Sequence, residues 1–116
     1  MRLKSEIWVS AYLRRCMVEG AYAVLRRRGA EEAGAIFVVI DKLDGTVELY
    51  GPAPQSFADE DAGIRLFSPV PLGPEPTPLA VQEKLQREIN FDPDLWIVDV
   101  EDRQGRNFLD LARTQP

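Results

Sequence analysis

The stretch AIFVVIDKLDGTVELYG, residues 35–51, constrains the fold of this 116-residue chain more than any other part. Ile36 to Ile40 is an unbroken run of apolar residues, four of them β-branched and the fifth aromatic. A strand with no polar face has cover on both sides and neighbours on both edges, so this run is expected at the centre of a sheet. Asp44-Gly45 follows it. A two-residue hairpin loop needs positive φ at both positions, which Asp-Gly supplies at little cost. If Leu43 faces Thr46, then Lys42 pairs with Val47, Asp41 with Glu48, Ile40 with Leu49 and Val39 with Tyr50. Val38, Ile40 and Leu49 then share one face, and Phe37, Val39 and Tyr50 the other. This register sets Asp41 against Glu48, a like-charge pair that costs from a few tenths to about 1 kcal/mol. Solvent or an arginine from the preceding strand would relieve it; a cation site or an acid/base pair is the sharper alternative.

The preceding segment, Tyr22–Arg28, alternates as a strand and joins the central one through Gly29–Gly34, giving two consecutive hairpins. Alternation puts Arg26 and Arg28 on one face and Arg27 on the other. Before it, Ser5 is placed to cap a helix from Glu6 to Glu19, stopped by Gly20. Trp8, Val9, Tyr12, Leu13, Cys16 and Met17 form its apolar stripe at helical spacing, although Ile7–Leu13 also fits an alternating strand. Cys16 on that stripe reads as a small buried apolar residue. Thr77-Pro78 opens a second helix running to about Asn90, with Val81, Leu85 and Ile89 as its buried line and Glu83–Arg87 and Lys84–Glu88 as exposed pairs. Leu95–Glu101 reads as a strand, with Trp96, Val98 and Val100 on one face and Leu95, Ile97, Asp99 and Glu101 on the other. Residues 51–78 hold seven of the nine prolines and the acidic run Asp59-Glu60-Asp61. Ile64–Ser68 can add a short edge strand ended by Pro69, and Pro69–Pro78 has the texture of an extended linker. The whole predicts one α+β domain over residues 1–116. Its antiparallel sheet has about four to five strands, with an N-terminal helix and a second helix after the Pro-rich connection at 51–78.

Composition narrows the chemistry. The chain has no histidine and one cysteine. That removes the usual base near neutral pH, every histidine-activated nucleophile, an internal disulfide and a cysteine-rich zinc site. No catalytic residue, metal ligand set or cofactor is assigned, and the balance leans away from an enzyme. No stretch is long and apolar enough to span a bilayer and no basic-then-apolar leader is present, so a cytoplasmic protein is expected. The net charge is −5 but segregated: residues 1–29 carry +5 and residues 30–116 carry −10. Neutralisation of one part by the other within the fold is the favoured account.

Four blocks, IWVSAYLRRC (Ile7–Cys16), RRRGAEEAGAIFV (Arg26–Val38), LDGT…LYGPAPQS (Leu43–Ser56) and FDPDLWIVDVEDRQGR (Phe91–Arg106), resemble the bacterial family known as domain of unknown function 1491. The resemblance covers nearly the whole chain and implies a free-standing small bacterial protein. It implies no activity, cofactor or site residue.

Three functional classes follow. The favoured one is a non-catalytic interaction or adaptor domain, binding a protein partner or a second copy of itself. Its surface would combine Arg26 or Arg28 with Tyr50, the Pro52–Ser56 loop and Arg103, since Arg and Tyr anchor interfaces. The second is a carboxylate-based small-ligand or Mg²⁺-dependent enzyme using Asp41, Glu48, Asp99 or Glu101 near Arg26 or Arg103. The third is nucleic-acid contact through Arg14, Arg15 and Arg26–Arg28. A protein of estimated pI 4.7 disfavours it.

Overall fold

The computed structural model describes residues 3–54 and 64–113. The acidic run Asp59-Glu60-Asp61 and the residues Gln55 and Ser56 lie outside them. In chain order the elements are α1 (Ser5–Val18), β1 (Tyr22–Arg27), β2 (Ile36–Asp41), β3 (Val47–Pro52), β4 (Phe67–Pro69), α2 (Pro78–Phe91) and β5 (Trp96–Glu101). The strands form one sheet in the order β1-β5-β2-β3-β4.

β2 is the middle strand, as its apolar run requires, and all of Ile36 to Ile40 is buried. Its alternate residues feed two cores. Ile36, Val38 and Ile40 join Trp96, Val98 and Val100 under α1, which contributes Val9, Tyr12 and Cys16. Phe37 and Val39 join Val47, Leu49, Leu95 and Ile97 under Val81 and Leu85 of α2. The sheet is therefore sandwiched between two helices, and the faces expected of β5 are those observed. Burying this much apolar area on both sides of five strands is the main source of stability.

The hairpin register differs by one residue from the sequence expectation. The observed pairs are Val38–Tyr50, Val39–Leu49, Ile40–Glu48 and Asp41–Val47. The loop is not a two-residue turn at Asp44-Gly45 but a three-residue loop, Leu43-Asp44-Gly45, closed by the Lys42 N–H on the Thr46 carbonyl. Leu43 takes φ +62° and Gly45 φ +91°. Two aspartates hold this longer loop: Asp41 Oδ1 accepts from the Leu43 N–H (2.8 Å), and Asp44 Oδ1 accepts from the Thr46 N–H and hydroxyl (3.0 and 2.6 Å). A one-residue slip exchanges faces for a whole strand. Leu49 accordingly lies with Phe37 and Val39 under α2, and Tyr50 with Val38 and Ile40 under α1. Asp41 no longer faces Glu48, and the like-charge pair does not exist.

β1 and β2 do not form a hairpin either. β5 inserts between them, antiparallel to β1 and parallel to β2. The connection 29–34 instead wraps the start of β5. The Ala30 N–H donates to the Asp94 carbonyl (2.8 Å), and Trp96 Nε1–H donates to the Ala30 carbonyl (2.8 Å). A Cβ on Gly29 or on Gly34 would stand 2.2 Å from the Asp94 carbonyl oxygen, so both positions require glycine. The same loop starts α1: the N–H groups of Ser5 and Glu6 donate to the carbonyls of Glu32 and Glu31 (3.1 and 3.0 Å). Ser5 is thus not a capping residue. It is the first helical residue, fully buried, and its hydroxyl donates to the Gly34 carbonyl (2.6 Å). Gly20 ends the helix at φ +87°, as expected, while Met17 points outward instead of joining the stripe.

α2 begins as its sequence dictates. Thr77 Oγ1 accepts from the Ala80 N–H (3.2 Å), Pro78 opens the first turn, and Lys84 pairs with Glu88 (3.4 Å). Pro69–Pro78 is not a free linker. The Val70 N–H donates to Leu49 (2.8 Å), the Val47 N–H donates to the Pro76 carbonyl (3.0 Å), and Val70 and Leu72 pack on the α2-side core.

Candidate functional site

The two edges of the sheet are treated differently. At the β4 edge, Phe67 bridges Leu111, with its N–H on the Asp110 carbonyl (2.9 Å) and its carbonyl accepting from Ala112 (2.8 Å). The C-terminal segment therefore covers that edge. At the other edge, no strand among the described residues pairs with the outer side of β1. A β-bulge at Arg26, where the register shifts between Leu25 and Arg27, limits the regular part of β1 to four residues. Four extended residues span about 13 Å.

The bulge also reassigns the arginines. With one extra residue in the strand, alternation fails across it, and Arg26 and Arg28 end on opposite faces. Arg26 lies on the α2 side, its Nε 2.8 Å from Asp99 Oδ2. Arg28 lies on the α1 side, bonded to Glu6 of that helix (3.0 Å) and stacked over the Trp96 ring at 5.2 Å. The basic residues singled out from the sequence therefore do not form one patch. Arg14 and Arg15 remain exposed on α1.

α2 covers the sheet over β2, β3 and Ile97 of β5, and leaves the same face of β1 and the Asp99–Glu101 end of β5 uncovered. The result is a cleft of about 260 Å³ between the start of α2 and β1. Its geometry follows from register. In one cross-strand row stand Tyr22, Glu101, Asp41 and Val47; in the next, Val24, Asp99, Val39 and Leu49. Tyr22 and Val24 form the outer wall, 61% and 39% exposed. Pro78 and Val81 form the inner wall. Three carboxylates, Asp41, Asp99 and Glu101, line the cleft against the single guanidinium of Arg26. Asp99 Oδ2 is taken by Arg26, while its Oδ1 is buried and meets no hydrogen-bond donor among the described residues. Among the described residues no three Asp, Glu or Cys side chains are grouped to hold a metal ion.

The residues singled out from the sequence are thus divided. Asp41, Asp99, Glu101 and Arg26 come together. Glu48 does not join them: it binds Lys42 (3.3 Å) and accepts from the Tyr50 hydroxyl (3.0 Å) on the α1 side. Burial and the Glu48 carboxylate both push the Tyr50 phenol up from its ordinary range. Tyr50 is buried and Pro52 exposed on β3, three strand spacings from β1, about 14 Å. Arg26 lies on the α2 side of the sheet and Tyr50 on the α1 side. A second hollow, of about 440 Å³, lies between β3 and segment 69–76, and Tyr50 lines it. Arg103 lies with Asp102 and Arg106 in an adjoining hollow that Tyr22 and Glu101 of the cleft also line. The walls of the cleft, Tyr22, Val24 and Pro78, escaped the sequence reading. An exposed tyrosine and valine alternating on a terminal strand were the available signal.

Two groups with chemical potential are spent on structure. The Cys16 thiol is buried, and desolvation raises it away from the reactive range. Asp102 accepts from the Arg106 backbone N–H (2.9 Å), Nε (3.1 Å) and Nη2 (2.8 Å), which hold its carboxyl down to about 2. Arg106 also reaches the Glu19 carbonyl at the end of α1 (3.2 Å) and stacks on Phe108.

The family model described as protein of unknown function (DUF1491) matches residues 3–110. The chain belongs to this family. Among solved structures, the DUF1491 protein is similar to protein Atu0922 from A. tumefaciens, solved in solution, with 45% identity, full coverage of both chains and a TM-score of 0.81. It is also similar to a DUF1491 family protein from Caulobacter crescentus CB15. The crystal structure of that protein gives 31% identity over 97% of this chain and 100% of that one, with a TM-score of 0.79. Its NMR structure gives 32% identity, 97% and 99% coverage, and 0.78. No functionally curated protein matches the DUF1491 chain. No helix among the described residues is long and apolar enough to cross a membrane.

Proposed function

We propose that this DUF1491 protein is a non-catalytic protein-binding module that receives its partner at the cleft beside β1. The observation that supports this reading is the coincidence of an unpaired sheet edge with a sheet face that α2 leaves bare. Aromatic and aliphatic side chains wall that face, and charge lines it. Proteins guard such edges because they pair readily with other chains, and the β4 edge of this molecule is covered. Three of the arginines that a small anionic ligand could use are already paired within the molecule: Arg26 with Asp99, Arg28 with Glu6 and Arg106 with Asp102.

A carboxylate enzyme is the second reading, favoured by the convergence of Asp41, Asp99 and Glu101 on one cleft. It is the weaker one, because Asp99 is engaged by Arg26 and no metal-holding group of three accompanies it among the described residues. The test places a photo-crosslinking side chain at Tyr22 and, as a control, at Leu111 on the covered edge. In extract of the organism that makes the protein, a discrete partner band from position 22 alone supports the module. No band, or the same bands from both positions, refutes it.

A further inference from the structure

We infer that the partner presents an extended basic segment, which adds to the Tyr22–Leu25 edge of β1 and lays a lysine or arginine over the Asp41–Glu101 row. This rests on the protein-binding reading and names the occupant.

The first argument is electrostatic. Among the described residues the cleft is lined by three carboxylates and one guanidinium, with Arg103 in the adjoining hollow, and Glu101 and Asp41 are adjacent across the β5–β2 pair. The Asp41 carboxylate is used once, by the Leu43 N–H, and no ion pair holds either group among the described residues. A cation that reaches Glu101 would also feel Asp41, and the net charge of −5 on the whole chain favours the approach of a basic segment.

The second argument is geometric. A strand added beside β1 stands two strand spacings, about 10 Å, from β5. Its side chains on the cleft face alternate past Tyr22 and Val24, so a long cationic side chain can lean over Tyr22 toward Glu101. A short or acidic one cannot. Strand addition takes its affinity from main-chain hydrogen bonds and its specificity from alternate side chains, as an edge flanked by a charged cleft requires. The cation's sequence neighbours point to the other face of the sheet, the face of Ala23 and Leu25.

A second copy of this chain is the competing occupant of the edge, and self-association of the full chain through Tyr22–Leu25, read by sedimentation, would overturn the inference.

The experiment titrates the full chain, by amide chemical shifts, with an eight-residue peptide alternating lysine and valine. A peptide alternating glutamate and valine and a lysine–valine peptide methylated on alternate backbone nitrogens serve as comparisons. The expected result is a saturable shift at Tyr22–Leu25, Asp41 and Glu101 with the basic peptide only. The Asp41→Asn/Glu101→Gln double variant, which keeps the acceptor for Leu43, should weaken binding about tenfold. Equal binding of the acidic peptide, unchanged binding of the methylated one, or shifts mapping to α1 would each overturn the inference. If cross-linking from Tyr22 persists while the basic peptide fails to bind, the inference falls and the module reading stands. Loss of the cross-link removes the reading itself.

Discussion

Asp102→Asn isolates the electrostatic part of the knot that ties the turn after β5 to the end of α1. The carboxylate is 7% exposed and takes three hydrogen bonds from Arg106. It titrates near 2 in the fold, against 3.8 when unperturbed, chiefly because of the hydrogen bond and charge of that arginine. Since the folded value lies below the unfolded one, the ionised carboxylate stabilises the fold at every pH above about 4. That contribution fades as pH falls through about 2. Worked through the linkage relation, it is about 2 kcal/mol at pH 6, about 1 kcal/mol at pH 3 and a few tenths at pH 2. The Arg106 side chain is 40% exposed, so solvent screening trims the neutral-pH figure to about 1–2 kcal/mol. Asparagine preserves shape and an acceptor but has no charge to lose. Urea denaturation of both proteins, followed by tryptophan fluorescence at pH 6, 3 and 2, reads the difference directly. Other carboxylates titrate in both proteins and cancel. A stability gap that stays constant from pH 6 to pH 2 would show that ionisation of Asp102 contributes nothing, and the reasoning from its contacts would fail.

Gly34→Ala and Gly29→Ala should each lower stability by about 3 kcal/mol or more, because the new Cβ meets the Asp94 carbonyl at 2.2 Å with no flexible side chain to yield; the shift in urea midpoint measures it. Leu43→Gly should raise stability by up to about 1 kcal/mol, since an exposed leucine at φ +62° is strained where glycine is not. A lower denaturation midpoint would contradict the loop geometry. Val38→Ala, in the α1-side core and fully buried, should cost about 2–3 kcal/mol, while Arg28→Ala, an exposed pair with Glu6, should cost about 1 kcal/mol or less.

The parts of this fold that were legible in the sequence are those fixed by burial or by one local bond. Ile36–Ile40 announced its central place because no residue in it is polar, and Thr77-Pro78 announced a helix because a cap and a fixed φ act within a single turn. The parts that were not legible depend on competing local bonds or on partners far along the chain. Asp-Gly suggested a two-residue turn, but the carboxylates of Asp41 and Asp44 each capture a backbone N–H two residues on and hold a third residue, Leu43, in the loop. That local competition moved Leu49 and Tyr50 to opposite faces. The loop 29–34 looked like the tip of a hairpin, yet its two glycines are there because β5, some sixty residues later in sequence, passes against them.

The candidate site follows the same division. Alternation in β5 put Asp99 and Glu101 on one face, and the Asp41 carboxylate was already suspect. The cleft itself arises only when β5 inserts next to β1 and α2 stops short of it, and no local pattern encodes either event. What the sequence did carry is the consequence: Tyr22 and Val24, apolar and alternating, on a strand whose outer side has no partner among the described residues. Had β1 paired with β2, these side chains would have stood over the central strand beneath α2, and burial would explain them fully. Because β5 takes that place, they stand at the rim, and the bulge at Arg26 keeps the arginine on Asp99 and off the rest of the edge. The topology that the sequence hid therefore creates the exposed apolar wall, the acid row and the open edge together.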